Sequence, residues 1–112
     1  MKLPGRVRVG PVTYRIRLCE PSAFAKADDT TSMGQCDHPT LTIRIDATLV
    51  EGARREVLMH EITHAIAMVA HGGFDGITGD DLEERIVNSI SPYLLMVMRD
   101  NPKVLAYLSE QA

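Results

Sequence analysis

The sequence predicts an α+β domain: a small antiparallel sheet of three or four strands, packed on a long helix and on a second helix after it. Three observations predict it. Apolar residues alternate with period two over 6–18 and again over 40–46, and from residue 48 they recur at helical spacing. The strand signals all precede the helical ones, which separates this chain from alternating βαβ architectures. At 112 residues and 45% hydrophobic, the chain has the size and apolar content of one domain with one core. No repeat or low-complexity tract divides it. We read 1–112 as a single unit, with strands over about 6–46, one helix over about 48–71 and a second over about 80–100.

The elements follow in order. Residues 6–18, RVRVGPVTYRIRL, place Val7 and Val9 before Gly10-Pro11, and Val12, Tyr14, Ile16 and Leu18 after it. That is a hairpin, with Pro11 at the turn where its missing N–H does little harm. Residues 20–31 carry Pro, Ser, Asp and Thr without periodicity and read as a loop with a helical turn. A short strand is expected around 32–37. In TLTIRID, residues 40–46, Leu41, Ile43 and Ile45 share one face of a strand. Thr48 and Glu51 then match a capping box, with Thr48 as N-cap. Leu58, Ile62, Ala65 and Val69 form the apolar face of the helix, and Gly72-Gly73 stops it. The second helix opens on Gly79-Asp80-Asp81 with carboxylates in its first turn. It carries Leu82, Ile86, Ile90, Leu94 and Val97. Pro92 either kinks it or restarts it after Ser91, and Asn101-Pro102 ends it. Residues 103–109 suit a short terminal helix.

Composition narrows the function classes. The net charge is −3 and the pI about 5.7, which gives no whole-chain case for nucleic acid. Lys2, Arg6, Arg8, Arg15 and Arg17 make the start basic; Asp75, Asp80, Asp81, Glu83 and Glu84 make a later stretch acidic. Both read as solvated faces, and scattered cations with few aromatics leave nucleic acid an unexpected partner. Charges interrupt every apolar run before residue 18, so no secretory signal is read. The uncharged runs 62–74 and 86–98 are too short to span a bilayer. The expected setting is cytoplasmic, with no membrane partner. Cys19 and Cys36 are expected as small buried hydrophobes in or beside strands, not as a disulfide framework. Cys36 and His38 form a Cys-x-His pair but lack the second pair of a structural metal site.

The chemistry concentrates in HEITHAIAMVAHGG, residues 60–73, which holds three of the chain's four histidines. His60-Glu61-Ile62-Thr63-His64 is an H-E-x-x-H motif. Residues at i and i+4 stand one above the other on a helix, so two imidazoles can reach one ion. Glu61 lies about a hundred degrees around the helix, where it can take a proton from a water activated by that ion. Unpaired His and Glu would be costly to bury in so apolar a segment, and a metal would explain them. A polar, solvent-facing helix edge is the competing explanation. His71 shares the face, but at i+11 from His60 it sits roughly 16 Å up the axis, too far to share the ion. A third ligand at position 70 is ruled out too, because Ala67 and Ala70 stand where an extended zinc motif needs Gly and His. A carboxylate of the second helix remains: Glu83 or Glu84, with Asp80 and Asp81 behind them. Glu84 is favoured because Asn88, one turn later, could accept a hydrogen bond from a ligand histidine. Two histidines and a carboxylate suit Zn2+, and also iron or manganese. Tyr93, Tyr107 and His71 are candidates for stabilising an oxyanion, with no spacing to separate them.

HEITHAI followed by Glu84-Arg85-Ile86-Val87-Asn88 resembles the zincin-like metallopeptidases of the ImmA/IrrE kind, and most of all their short phage-encoded relatives. TIRID before the helix and RDNP at 99–102 add to the likeness, which extends over most of 7–102. Val87 stands where the family pattern has alanine. The resemblance implies a minimal, gluzincin-like fold with His60, His64 and Glu84 as zinc ligands and Glu61 as general base. It implies a peptide or protein substrate, with a strand edge as docking surface, in a bacterial host or prophage setting. The alternative is a catalytically silent zincin-fold adaptor that binds a host protein, and a third reading is a structural domain in which the motif is coincidental. Nothing in the sequence sets the oligomeric state.

Overall fold

A computed structural model describes residues 2–24, 33–72 and 82–110, leaving out the side chains of Ala23, His71, Glu83 and Glu84. Four strands are followed by three helices, an α+β arrangement. The strands are β1 (Arg6–Val9), β2 (Val12–Cys19), β3 (Gly34–Asp37) and β4 (Thr42–Asp46). The helices are α1 (Glu51–His71), α2 (Leu82–Asp100) and α3 (Pro102–Ser109), with a single 3-10 turn at Pro21–Ala23. The loop expected over 20–31 is described only up to residue 24, and the segment 73–81, with Asp75, Asp80 and Asp81, lies outside the described residues.

The hairpin forms as expected: Val7 faces Tyr14 and Val9 faces Val12 across the Gly10-Pro11 turn. Gly10 is required there twice over. Its φ is 57°, and a Cβ would come within 2.8 Å of the Tyr93 ring. The sheet order is β1-β2-β4-β3, and here the structure corrects the all-antiparallel expectation. β1–β2 and β3–β4 are antiparallel, but β2 and β4 run parallel, with Ile16 beside Ile43 and Leu18 beside Ile45. The long connection after Cys19 is the reason. It carries β3 and returns β4 alongside β2 in the same direction, which a tight turn cannot do.

Alternation sorts the sheet into two faces. Val7, Val9, Tyr14, Ile16, Ile43 and Ile45 are buried on one, against Val57, Leu58, Ile62, Ala65 and Ile66 of α1, with Val97, Val104 and Tyr107 completing the core. The other carries Arg6, Arg8, Thr13, Arg15 and Arg17, all exposed. Cys19 and Cys36 are free and half-buried, at the end of β2 and within β3.

The start of α1 differs from the expected cap. The helix begins at Glu51 with exposed Val50 as N-cap and no side-chain cap. Thr48 is drawn into a turn instead: its N–H (2.8 Å) and its hydroxyl (2.7 Å) both donate to Asp46 Oδ1. Asp46 thus competes successfully for the groups that would have capped the helix. At the far end Gly72 adopts the left-handed conformation (φ 75°), and its N–H returns to the Met68 carbonyl. Pro92 does not restart the helix: α2 continues through it from Leu82 to Asp100. Ile90, Tyr93 and Leu94 pack on the core while Leu82, at the start, is exposed. No described helix is long and apolar enough to cross a membrane.

Candidate metal centre

His60 and His64 stand on the flank of α1 that turns away from the core, both exposed. Helical spacing stacks them, and their rings meet edge to face with centroids 4.8 Å apart. The two Nε2 atoms approach to 3.2 Å. This separation tests whether the pair suits a metal. Two nitrogens bound to zinc at 2.0–2.1 Å in a tetrahedral shell stand about 3.4 Å apart. The 3.2 Å seen is close to that spacing, and it is also the length of a hydrogen bond between the two rings. Partial desolvation of its ring, and then the neighbouring His60 charge, hold the His64 pKa below the usual imidazole range. His64 is therefore biased towards the neutral form that a metal binds.

Glu61 turns the other way, into the seam between α1 and β3, and is only 6% exposed. Burial raises its carboxyl pKa, with an opposing contribution from His60. A glycine on β3 makes this placement feasible. A Cβ at Gly34 would lie 2.6 Å from Val57 Cγ1, 3.0 Å from Glu61 Oε2 and 3.1 Å from Glu61 Cγ. The sequence holds a weak signal for this in a glycine within a strand, but its meaning depends on what α1 brings against it.

Beyond Gly34 the inner side of β3 carries more polar groups that sequence reasoning did not join to the site. Burial, then the negative charges of Glu61 and Asp37, push the Cys36 thiol up to about 12, against an opposing hydrogen bond with Tyr14. Tyr14 is likewise pushed up to about 12, by burial first and then by Cys36. Its hydroxyl also pairs with His38 Nδ1. His38 is thus engaged by a phenol, and among the described residues no group of three or more His, Cys, Asp or Glu gathers to hold a metal.

Of the other expected site residues, Glu83 and Glu84 lie in the first turn of α2, with side chains outside the described set. Asn88 is exposed. Tyr107 is fully buried beneath the Arg55 guanidinium, 5.5 Å from its ring, which removes it from a solvent-facing site. Tyr93 packs on the Gly10 turn beside Val69, towards the C-terminal end of α1. The side chain of His71 lies outside the described residues.

Two surfaces adjoin the histidines. A groove of about 690 Å³ between α1 and the end of α3 is lined by Arg55, Glu56, Met59, His60, Thr63 and Leu108 among others. On the Glu61 side, β3 is an edge strand, paired only with β4 among the described residues.

No family model, curated protein or solved structure matches this chain. The fold and site define an α+β domain whose first helix presents a pair of imidazoles beside a buried carboxylate.

Proposed function

We propose that this protein is a zinc-dependent metallopeptidase. The observation that carries the reading is the 3.2 Å approach of His60 Nε2 to His64 Nε2, close to the spacing of two ligands on one tetrahedral ion. His60 and His64 would hold the zinc, with Glu84 as the proposed third ligand and Asn88 as the residue steadying a histidine. Bound there, zinc would polarise the scissile carbonyl and lower the pKa of a water. Glu61 is the proposed general base. Its raised carboxyl pKa suits a group that takes a proton from water and returns it to the leaving amine. The edge of β3, unpaired among the described residues, would accept a substrate backbone as an added strand beside Glu61.

Elemental analysis and turnover of a peptide library test this together. Wild type is expected to hold one zinc per chain, and Glu84→Ala to lose most of it. Glu61→Gln is expected to keep the zinc and lose roughly 10²–10⁴-fold in kcat. Catalysis surviving Glu61→Gln would remove Glu61 as the base. Stoichiometric zinc without cleavage would favour the adaptor reading, and background zinc in wild type would defeat the peptidase reading.

A further inference from the structure

The face of the sheet turned away from the helices supports a second binding activity, independent of the metal centre. Four exposed arginines project from it, Arg6 and Arg8 on β1 and Arg15 and Arg17 on β2. The register then compounds the charge. Arg6 lies directly across from Arg15 in the antiparallel pair, and Arg17 lies beside Arg44 in the parallel one. Like charges set directly opposite work against a sheet, so the arrangement costs the fold something unless an anion covers it. Among the described residues two carboxylates share the face and both are engaged: Asp37 accepts from Arg44 at 3.0 Å, and Asp46 accepts from Thr48. Arg8 donates to the Gly10 carbonyl. Among the described residues, the side chains of Arg6, Arg15 and Arg17 have no hydrogen-bonding or ion-pair partner.

The chemistry of the face selects the occupant. Its five cations among the described residues are all arginine, whose planar fork matches phosphate oxygens two at a time. Among the described residues it carries no aromatic and no large apolar side chain, the groups that anchor protein partners and stack unpaired bases. Positive charge without apolar anchors is the signature of contact with a phosphate backbone. We propose that the helix-free face of the sheet docks the phosphate backbone of duplex DNA without regard to base sequence, through Arg6, Arg15 and Arg17, with Arg8 and Arg44 flanking them. The cations that look scattered along the sequence are gathered by the strand register, and Lys2 alone of the N-terminal set stands outside the sheet.

The test is fluorescence anisotropy of a short, labelled, random-sequence DNA duplex, titrated with the full chain between about 50 and 200 mM salt. Three or four phosphate contacts predict a slope of log K against log salt of about −3 to −4. Arg15→Gln/Arg17→Gln should flatten that slope by about 2 and weaken binding roughly tenfold. Both residues are exposed, and an unchanged circular dichroism spectrum verifies the fold. Arg99→Gln/Lys103→Gln removes the same charge from the helices and should leave binding near wild type. Absence of binding at the lowest salt overturns the proposal. So does equal weakening by the two double variants, which would reduce the effect to net charge. A polyglutamate peptide competing as well as unlabelled duplex would overturn it in favour of an acidic protein partner. Glu61→Gln should bind duplex like wild type, which separates this surface from the peptidase reading.

Discussion

Replacing Gly34 by alanine adds one methyl group where α1 and β3 meet. The new carbon would stand 2.6 Å from Val57 Cγ1 and 3.0 Å from Glu61 Oε2, whereas carbon atoms rest at about 3.5–4.0 Å. Something must give by nearly an ångström at Val57. β3 is held to β4 along its length, and α1 is anchored by Leu58 and Ile62, both essentially without solvent exposure. The strain therefore falls on the two side chains. Overpacking of this kind costs about 1–3 kcal/mol, offset by about 0.4–1 kcal/mol because alanine restricts the unfolded chain more than glycine. A net loss of about 1–2 kcal/mol should lower Tm by roughly 4–8 °C in a domain of this size. Displacing the Glu61 carboxylate by a similar distance could cost up to about 10²-fold in turnover. Thermal unfolding and peptide hydrolysis would be measured for Gly34→Ala, Val57→Ala and the double variant. In the Val57→Ala background the added methyl should cost about 1 kcal/mol less, while turnover stays depressed because the Glu61 contact remains. A Gly34→Ala variant with wild-type Tm and wild-type turnover would refute the steric account of how Glu61 is placed.

Three further outcomes are expected. Cys36, Tyr14 and Tyr107 all have folded-state pKa values raised to about 12, from 9.0 for the thiol and 10.0 for the phenols, mainly by burial. The folded protein then keeps protons that the unfolded chain gives up, so stability is intact below pH 9 and falls as pH rises towards 12. Denaturant midpoints measured against pH should begin to fall near pH 9 in wild type and near pH 10 in Cys36→Ala; an onset unmoved by the substitution would exclude the thiol. Val50, 76% exposed at the N-cap of α1 with extended backbone and no side-chain cap, should accept serine with a gain of about 0.5–2 kcal/mol, visible as a higher Tm, and a lower Tm would contradict the assigned helix start. Arg15→Gln, which removes a charge directly opposite Arg6, should raise stability by a few tenths of a kcal/mol at low salt. That gain should shrink as salt screens the pair.

What could be read from the chain and what could not divide along the range of the interactions. The Gly10 hairpin, the Gly72 stop and the His60–His64 pair are set by residues a few positions apart, and local spacing conveys them. Thr48 shows where even local reading fails: a cap was legible, but Asp46, two residues earlier, competes for the same hydroxyl and N–H and wins them. The parallel seam of β2 and β4 was not legible, because alternation marks faces and not neighbours. Gly34 and Cys36 join the candidate site only because α1 carries Val57 and Glu61 across to β3. The arginine face was half legible. Period two puts Arg15 and Arg17 on one side of β2, but only the parallel register brings Arg44 beside Arg17.

That parallel seam also bears on how the molecule folds. The sheet consists of two hairpins, β1–β2 and β3–β4, each closed by a few residues and able to form on the microsecond scale by itself. Only the β2–β4 pairing, Ile16 against Ile43 and Leu18 against Ile45, demands that distant segments meet. The entropy of closing the long loop between them is concentrated in this one ladder. Within the sheet the docking of two preformed hairpins is therefore the slow step, and the helices add further distant contacts, such as the Arg8 N–H donating to Asn101 Oδ1 at 2.8 Å.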